Sequence, residues 1–449
     1  MFLSFLTLSL ATSTTLFARS SAALDLDVKD QQSIKSVAKT LAGGIVATYK
    51  NDLGESLIPG LFSDPYYWWE AGAVFGSLVD YSFLTGDNQY DDLVGEALEH
   101  QIGDFNAFLP VNQTKTLGND DQSTWGLAAM SAAENGFTTS KIGNLSWIDL
   151  AKNVFDSQAR RWDSKTCDGG LRWQIYEFNY GYSYKNSISS GQFFLLAARL
   201  AKFTGNETYS DWAEKAFEWT QDVGLIDDYH VYDGADADEG CSDVNRIQWP
   251  SNHAIFTEAA AYMYNVTKGS DKWKTVVAGF LNTSSVFQED GGILFNVACE
   301  NNGKCNTDQR AMKGLAARSY ARAAIFAPFI AEELTSVLEA SAKGAAEGCS
   351  GKEAKLQCSN KWTGNGEPSS GLGEVFGALA VVQGLLVKDA KAPATASDRG
   401  TGTSAGSPTA NAPAASGSDQ PPENEGAAGA LTVSRGLSLA VAALVVVLL

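Results

Sequence analysis

The hydrophobic pattern along this chain has the period of an α-helix over most of its length. Apolar residues recur every three or four positions in twelve segments between residues 24 and 388, and short polar loops separate these segments. No proline-rich or charged linker interrupts the series, so we predict a single helical domain. The predicted helices span residues 31–49, 68–85, 89–108, 120–134, 147–161, 187–204, 208–224, 251–266, 271–285, 308–318, 322–342 and 372–387.

A loop signature recurs between consecutive helices. It reads T-G-D-N-Q-Y at residues 85–90 and T-G-N-E-T-Y at residues 204–209, and it returns with one insertion at residues 267–273. In each loop a glycine can end one helix in the left-handed conformation, and Asp, Asn or Thr can cap the next helix. The chain therefore repeats a unit of about sixty residues that consists of a helix, a tight turn and a helix.

The two helices of each repeat differ in composition. Even-numbered segments, such as 68–85 and 120–134, are rich in Gly and Ala, and small residues allow neighbouring helices to approach closely. Odd-numbered segments, such as 208–224, carry more charge. We therefore predict an all-α fold, an (α/α)6 toroid of six helical hairpins. The alternative is an open solenoid, which would need polar capping repeats that this sequence does not show.

Both ends of the chain carry segments typical of export and anchoring. Residues 1–23 begin with an apolar run and end in Ser-Ala-Ala, so we predict a signal peptide that is cleaved before Leu24. Residues 389–429 are rich in Ala, Gly, Ser, Thr and Pro without an aromatic residue, which predicts a disordered stalk. Residues 430–449 end in an apolar tail too short to span a bilayer, which predicts a removed GPI-attachment signal with Asn424 and Ser416 as competing attachment residues.

These ends predict a secreted protein that a GPI lipid anchors to the outer face of the plasma membrane, to the cell wall, or to both. Five N-glycosylation sequons fit that route. The six cysteines suggest disulfides, and fifteen pairings are possible. We expect bridges within the two close pairs, Cys299 with Cys305 and Cys349 with Cys358, which leaves Cys167 and Cys241. The sequons begin at Asn112, Asn144, Asn206, Asn265 and Asn282.

Charge and histidine content exclude several classes of function. The formal net charge is −19 and the basic residues are scattered, which argues against a nucleic-acid-binding protein. The chain holds three histidines without the spacing of a metal site, and it lacks a Cys-X-X-Cys pair. We therefore expect no metal and no cofactor.

Aromatic and polar residues gather where the inner helices are predicted to begin. In a toroid those ends converge on one face, and a funnel of aromatic rings and carboxylates suits sugars, whose apolar faces stack on aromatic rings. We therefore predict a glycan site at this face. Its predicted substrate-binding residues are Trp68, Trp69, Glu70, Asn119, Trp125, Tyr184, Lys185, Asn186, Trp249, Asn252, His253, Asp308 and Gln309.

Asp120 and Asp121 are the candidate catalytic pair. Glycosidic cleavage with retained configuration uses two carboxyl groups about 5–5.5 Å apart, and adjacent aspartates at a helix start can reach that spacing. Helix N–H groups would keep one carboxylate ionised, and its charge would raise the pKa of the other. The alternative is a plain helix cap, since the chain also contains the pairs Asp91-Asp92 and Asp227-Asp228.

At these residues the chain resembles glycoside hydrolase family 76, in particular its fungal GPI-anchored branch related to mannan endo-1,6-α-mannosidases. The resemblance covers about residues 33–386. Its motifs are Y-W-W-E-A-G at 67–72, the segment around the aspartate pair at 118–126, Y-K-N-S-I-S at 184–189, C-N-T-D-Q at 305–309 and G-L-G at 371–373.

The resemblance implies a retaining mechanism without a metal, in which Asp120 is the nucleophile and Asp121 the acid/base. It also implies cleavage of α-mannose glycans, including the core glycan of GPI anchors, and transfer of anchored proteins to cell-wall glucan. The chain departs from the family at Ser190, where Asn is usual, at residues 250–253, where P-S-N-H replaces a stretch with Tyr-Asn, and at Glu374, where Gln is usual.

Two other functions remain open at this point. A non-catalytic cell-wall protein could bind mannan through the same aromatic funnel. An inverting hydrolase or a lyase on the same toroid would place its carboxylates on different helices. We expect a monomer in each case.

Overall fold

The computed structural model describes residues 23–52, 58–138, 145–289, 291–364, 366, 368–369 and 371–398. Nearly all of the predicted signal peptide, most of the predicted stalk, the predicted attachment tail and the sequon at Asn144 lie outside the described residues. Among the helices that are described, none has the length and apolar character needed to cross a membrane.

The described residues form thirteen α-helices. Nine of the twelve longer ones begin within one residue of the sequence-based prediction, because their apolar period and their caps coincide. In chain order the helices are α1 (Gln31–Asp52), α2 (Trp68–Thr85), α3 (Asp91–His100), α4 (Asn119–Asn135), α5 (Trp147–Arg160), α6 (Ser187–Thr204), α7 (Glu207–Asp222), α8 (Pro250–Val266), α9 (Asp271–Thr283), α10 (Thr307–Arg310), α11 (Met312–Phe326), α12 (Ala331–Glu347) and α13 (Leu372–Gly384).

Six of these helices form a closed inner ring in the order α2, α4, α6, α8, α11 and α13. The ring closes between α13 and α2, where Gln383 Nε2 donates to the carbonyl oxygen and the hydroxyl of Ser77 at 3.0 and 2.8 Å. Small residues set the close spacing: a Cβ on Gly314 would lie 2.8 Å from the Cα of Gly377. The closed ring confirms the (α/α)6 toroid and excludes the open solenoid.

The outer layer consists of α1, α3, α5, α7, α9 and α12, each packed on the inner ring. The loop glycines Gly86, Gly205 and Gly269 are all left-handed as predicted, but of the three loops only the second has the predicted Asp, Asn or Thr cap, at Asn206. Gly86 and Gly205 end α2 and α6 with φ of 76° and 70°, and the Asn206 side chain accepts a hydrogen bond from the Thr208 N–H at the start of α7.

Three predicted helices have wrong boundaries, and the one predicted over 308–318 ends inside α11. The helix predicted over 89–108 ends at His100, because the following loop turns through positive φ at Gly103 and Phe105. The helix predicted over 322–342 crosses Pro328, which lacks an N–H group and cannot continue a helix. In the structure α11 ends at Phe326 and α12 begins at Ala331.

Ten short strands, which the sequence pattern did not predict, lie in the loops between the described helices. One antiparallel sheet joins β1, β4 and β5 directly before α6 and α8. The strands are β1 (Tyr184–Asn186), β2 (Ile226–Asp227), β3 (His230–Val231), β4 (Gly234–Asp236), β5 (Val244–Asn245), β6 (Gln288–Glu289), β7 (Ile293–Leu294), β8 (Cys349–Ser350), β9 (Gln357–Ser359) and β10 (Pro368–Ser369).

Three disulfides staple these loops. The bridges Cys299–Cys305 and Cys349–Cys358 confirm the predicted short-range pairs. The third bridge, Cys167–Cys241, joins the loop before β1 to the loop after β4. It therefore ties together two segments of the chain that lie beside the start of α6.

A buried charge network fills the middle of the inner ring. Arg199 of α6 pairs with Glu134 of α4 at 2.6 Å, and Arg318 and Arg322 of α11 each pair with Asp80 of α2 at 2.7 Å. Burial alone would raise the pKa of Asp80, but the charges of Arg318 and Arg322 lower it. Each charge in this network therefore has a partner of opposite sign from another helix.

The segment 389–398 crosses the base of the ring, at the C-terminal ends of the inner helices. The N–H of Ala394 donates to the carbonyl oxygen of Glu134 at the end of α4, and the N–H of Ala396 donates to that of Phe203 at the end of α6. The first ten residues of the predicted stalk are therefore bound to the folded domain. We call this segment the base strap.

Candidate active site

A cleft of about 1630 Å³, which includes its open mouth, lies at the N-terminal ends of the inner helices. Side chains from α2, α4, α6, α8 and the α10–α11 segment line it, so the predicted convergence holds for five of the six inner helices. Ten predicted site residues line the cleft: Trp68, Trp69, Asp120, Asp121, Tyr184, Asn186, Trp249, Asn252, Asp308 and Gln309.

Asp120 and Asp121 lie in the first turn of α4, and both carboxylates lie over Gly118. Asp121 Oδ2 accepts a hydrogen bond from the Gly118 N–H at 2.7 Å, and Asp120 Oδ1 accepts one from the Asp121 N–H at 3.0 Å. A Cβ added to Gly118 would lie 2.2 Å from Asp120 Oδ1 and 3.1 Å from Asp121 Oδ2. These two oxygens are therefore at most roughly 5 Å apart, which is compatible with the carboxyl spacing of retaining glycosidases.

The two aspartates form a coupled acidic pair. Burial, and then the charge of Asp121, raise the pKa of Asp120 well above its ordinary value. Burial raises the pKa of Asp121 to about 7, although the bond from the Gly118 N–H lowers it, and the charge of Asp308 raises both values. Near neutral pH the pair can therefore hold one proton, which is the state that an acid and a nucleophile need together.

The start of α4 is held from behind by the loop that precedes β1. The N–H of Asn119 donates to the carbonyl oxygen of Trp173 at 2.8 Å. The Asn119 side chain donates to the carbonyl oxygen of Arg172 and accepts two hydrogen bonds from Arg161. Asn119 therefore positions the aspartate pair and does not line the cleft.

Two tryptophan side chains of the cleft donate hydrogen bonds from their indole N–H groups to carboxylates. Trp69 Nε1 donates to Asp308 Oδ1 at 2.8 Å. Trp249 Nε1 donates to Asp233 Oδ1 at 2.7 Å, and the Tyr184 hydroxyl donates to Asp233 Oδ2 at 2.6 Å. Burial raises the pKa of Asp308, while the Trp69 N–H lowers it. Each contact fixes an aromatic ring beside a carboxylate that can accept hydrogen bonds from sugar hydroxyls.

Glu70 lies behind the cleft as a buried carboxyl group. Its Oε2 accepts a hydrogen bond from the Tyr67 N–H at 2.8 Å, which caps α2. Burial raises the pKa of Glu70 to about 8, the Tyr67 bond lowers it, and the charges of Asp308 and Glu374 raise it further. Glu70 is therefore largely protonated at neutral pH and helps to fix the helix that carries Trp69.

Three more predicted contact residues are buried away from the cleft. Trp125 stacks on Trp68 at a ring distance of 5.1 Å. Lys185 reaches the carbonyl oxygens of Thr166 and Gly169 and forms an ion pair with Asp163 at 3.3 Å. The prediction that Trp125 and Lys185 contact a ligand directly is therefore not supported by their positions.

His253 is also fully buried, between Tyr320 and Thr283. Its Nδ1 lies 2.8 Å from the Tyr320 hydroxyl and its Nε2 lies 3.0 Å from the Thr283 hydroxyl. Burial lowers the pKa of His253 to about 3, so the ring is neutral. His253 therefore supports α8 from behind the cleft.

The departures from the family pattern have different surroundings. Glu374 Oε1 accepts hydrogen bonds from Arg310 and Ser369, so the carboxylate at this position has a cationic partner. Ser190 is buried and does not line the cleft, whereas Ser251 lines it. The negative charge that Glu374 introduces in place of the usual Gln is therefore balanced by the charge of Arg310.

Several cleft residues were not predicted from the sequence. The loop 174–184 carries an aromatic residue at every second position from 176 onward, and it brings Tyr180 to the cleft, where the side chain is 95% exposed. That alternation is visible in the sequence and could have indicated an aromatic loop at the cleft. The other unpredicted residues at the cleft include Tyr67, Trp173, Gln192 and Asp233.

Metal ligands require a cluster of donors. Within the ranges that the structure describes, no three His, Cys, Asp or Glu side chains are arranged to hold a metal ion.

Comparison with known proteins agrees with this geometry. The family model described as "Glycosyl hydrolase family 76" matches residues 33–397. The mannan endo-1,6-alpha-mannosidase DCW1 of Saccharomyces cerevisiae is 43% identical over 384 residues, which cover 84% of this chain and 85% of that protein. The mannan endo-1,6-alpha-mannosidase DFG5 of the same yeast is 38% identical over 391 residues, which cover 86% and 85%.

Solved structures of other proteins have the same fold as this chain. The crystal structure of Dfg5 from Chaetomium thermophilum in complex with glucosamine superposes with a TM-score of 0.77 at 39% identity and covers 82% of this chain and 94% of that one. The GH76A alpha-1,6-mannanase from Salegentibacter sp. HEL1_6 shares the fold, with a TM-score of 0.62 at 19% identity. By its sequence and by its fold, this chain belongs to glycoside hydrolase family 76 and is a glycosidase.

Proposed function

We propose that the protein is a retaining endo-α-1,6-mannosidase or transglycosidase that acts on mannose glycans. The observation that carries this proposal is the Asp120–Asp121 pair, whose nearer oxygens share the space over Gly118 at the floor of an aromatic cleft. The relatives that are 38–43% identical are named mannan endo-1,6-alpha-mannosidases, and the superposed Dfg5 structure holds an amino sugar.

In this mechanism one aspartate attacks the anomeric carbon while the other protonates the leaving oxygen. The bond from the anomeric carbon to that oxygen breaks, and a covalent glycosyl-enzyme forms. The second aspartate, now ionised, then takes a proton from the incoming hydroxyl as that hydroxyl attacks the glycosyl-enzyme. Asp120 is the proposed nucleophile and Asp121 the proposed acid/base.

The incoming hydroxyl decides whether the reaction is hydrolysis or transfer. A sugar bound at the rim can intercept the glycosyl-enzyme before water does. Exposed rings suited to stack such a sugar lie at the mouth of the cleft, since the side chain of Tyr67 is 55% exposed and that of Tyr180 is 95% exposed. We propose that the donor is the mannose-containing core glycan of GPI-anchored glycoproteins and that the acceptor is cell-wall glucan.

We further propose that the chain acts as a secreted monomer anchored by a GPI lipid to the outer face of the plasma membrane or held in the cell wall. Three disulfides support passage through an oxidising compartment. The non-catalytic mannan-binding protein remains the alternative function, and it would use the same aromatic rings.

The test incubates the wild-type protein with a short α-1,6-mannoside, with and without glucan oligomers, and identifies the products by mass spectrometry. The proposal expects shorter mannosides alone and mannosyl–glucan adducts when glucan is present. Asp120→Asn and Asp121→Asn proteins serve as blanks. A wild-type protein that binds the mannoside without cleaving it, and variants that bind it equally well, would establish the mannan-binding alternative.

Changing Gly118 to alanine should damage catalysis without breaking the helix. The φ of Gly118 is −92°, which alanine adopts freely, but the added Cβ would collide with Asp120 Oδ1 at 2.2 Å. The displaced carboxylate should lower kcat by about 10- to 100-fold. Steady-state kinetics of Gly118→Ala measure this, and Gly136→Ala at the other end of α4 is the control for stability alone. An unchanged kcat in Gly118→Ala would show that the carboxylate over Gly118 is not in the reaction.

Asp308→Asn should shift the pH dependence of activity. Its charge raises the pKa of both catalytic aspartates, so its removal lowers those pKa values. The protonated acid is then lost at lower pH, and the alkaline limb of kcat against pH moves to lower pH than in the wild type. Asp233→Asn, which removes a cleft carboxylate that does not affect the pair, should leave the limb in place. Equal shifts in both variants would contradict this role of Asp308.

A further inference from the structure

A second groove, of about 960 Å³, continues from the cleft. It begins at Trp249 and Gln309, which line both the cleft and the groove. One side is the segment that precedes α8, and the other is the disulfide loop between Cys299 and Cys305. We call it the side groove. A glycan that extends from the cleft into the side groove would pass Trp249 and Gln309.

The side groove differs from the cleft in its charge. The cleft is lined by four carboxylates, those of Asp120, Asp121, Asp233 and Asp308, and one cation. The side groove is lined by Arg246 and Lys304 and by no carboxylate. Two cations without an acidic residue between them are unusual on a chain whose formal net charge is −19.

Neither cation is strongly engaged. Arg246 lies 3.7 Å from Asp227, but both side chains are more than 60% exposed, so this pair contributes little. The Arg246 guanidinium stacks over the ring of Tyr232 at 4.7 Å, which orients it and leaves its N–H groups accessible. Within the described part of the chain, Lys304 forms no ion pair, and its backbone N–H is fixed to the carbonyl oxygen of Cys299 at 3.1 Å.

The rest of the side groove suits a sugar. Ile247 and Val297 are exposed apolar side chains, at 44% and 39%. Together with Val286 and Ala298 they form an apolar surface on which a sugar ring can lie, and Nε2 of Gln248 can donate to a hydroxyl. The groove therefore combines a surface for a sugar ring with two cations for an acidic group.

We propose that the side groove binds an anionic substituent, a phosphate ester or a carboxylate, on the glycan that occupies the cleft. The proposal rests on the cleft being a glycan site. An anionic group would be repelled by the acidic residues of the cleft and attracted by Arg246 and Lys304, so it is favoured in the side groove over the cleft. The side groove would thereby fix which glycosidic bond lies over the catalytic pair.

The test is a binding measurement by calorimetry with three ligands. These are α-1,6-mannotetraose, the same tetraose with a 6-phosphate at its non-reducing end, and the same tetraose oxidised to a carboxylate at its reducing end. At low salt the wild-type protein should bind at least one anionic ligand about 5-fold more tightly than the neutral one. High salt should reduce that preference, because both cations are exposed.

Variants separate the side groove from general charge effects. Arg246→Ala with Lys304→Ala should abolish the preference and keep the affinity for the neutral tetraose, and Lys304→Glu should reverse it. Lys343→Ala, which removes an exposed cation on the outer helix α12, is the control and should keep the preference. The proposal is overturned if neither anionic ligand binds more tightly than the neutral one, or if the double variant keeps the preference.

The same titrations in the Asp121→Asn background, which keeps the glycan intact, separate binding from the reaction. A protein that prefers the anionic glycan but cleaves none of the three would contradict the proposed enzyme and support the side groove. A protein that binds none of the three ligands would overturn both proposals.

Discussion

Replacing either Asp120 or Asp121 by asparagine is expected to lower kcat on an α-1,6-mannoside by roughly 10³-fold or more. Asparagine keeps the shape of the side chain but can neither attack the anomeric carbon as a carboxylate nor carry the transferred proton. Since the carboxylates share the space over Gly118 and titrate as a pair, each variant should lose most of the activity by itself. Steady-state kinetics and binding of the intact substrate measure the two effects separately.

Azide distinguishes the two roles. In a variant that lacks the acid/base, azide can attack the glycosyl-enzyme and give a mannosyl azide of retained configuration. In a variant that lacks the nucleophile, azide attacks the substrate directly and gives the inverted product. The proposed assignment expects the retained azide from Asp121→Asn and the inverted azide from Asp120→Asn. The reverse pattern would exchange the roles, and activity undiminished in both variants would exclude this pair as the catalytic centre.

Replacing Arg199 by methionine is expected to lower the free energy of unfolding by about 3–5 kcal/mol. Arg199 is buried, and its guanidinium pairs with Glu134 at 2.6 Å and bonds to the Ser131 hydroxyl. Methionine fills much of the volume but leaves the Glu134 carboxylate buried with a weaker partner, since Arg322 Nη1 lies 3.8 Å away. Urea denaturation curves of the folded domain measure the loss.

A second variant keeps this prediction testable if Arg199→Met folds poorly. Adding Glu134→Gln replaces the Glu134 carboxylate, which has lost its Arg199 partner in this variant, by a neutral amide. The double variant should therefore be more stable than Arg199→Met alone. Lys272→Ala is the control, because the pairs of Lys272 with Glu214 and Glu218 are exposed and should contribute less than about 1 kcal/mol. A loss below 1 kcal/mol for Arg199→Met would show that the buried network does not stabilise the ring.

The ring and the location of the site could be predicted from the sequence. Helical period, repeated Gly-containing loops and small residues on alternate helices are local signals, and together they specify an (α/α)6 toroid. Because inner helices run in one direction, their N-termini had to lie on one face. The position of Asp120 and Asp121 at such an N-terminus was therefore enough to place them in the cleft.

The direction of individual side chains could not be predicted in the same way. Tyr184, Lys185 and Asn186 form β1, in which successive side chains point to opposite sides. Tyr184 and Asn186 therefore face the cleft while Lys185 is buried behind it. The strand exists because it pairs with β4, some fifty residues later, and no local pattern shows that pairing.

The same long-range pairing explains why Asp233 could not be predicted from the sequence as a residue of the cleft. The segment 233–239 contains four acidic residues, a composition that suits a solvated loop as well as a loop that faces a sugar. In the structure Asp233 directly precedes β4, which brings its carboxylate to Tyr184 and Trp249. The three side chains that donate hydrogen bonds to Asp233, those of Tyr184, Asn245 and Trp249, all lie outside its segment 233–239, so the site on this side is a property of the tertiary fold.

The base strap determines how the domain can be held. It crosses the ring beneath α4 and α6, and the cleft lies at the opposite ends of these helices, about 25 Å away along their axes. A protein immobilised on a bead or a sensor surface through residue 398 would therefore present its open cleft to the solution. A large, branched polymer could reach the catalytic pair in that orientation without competing with the support for space.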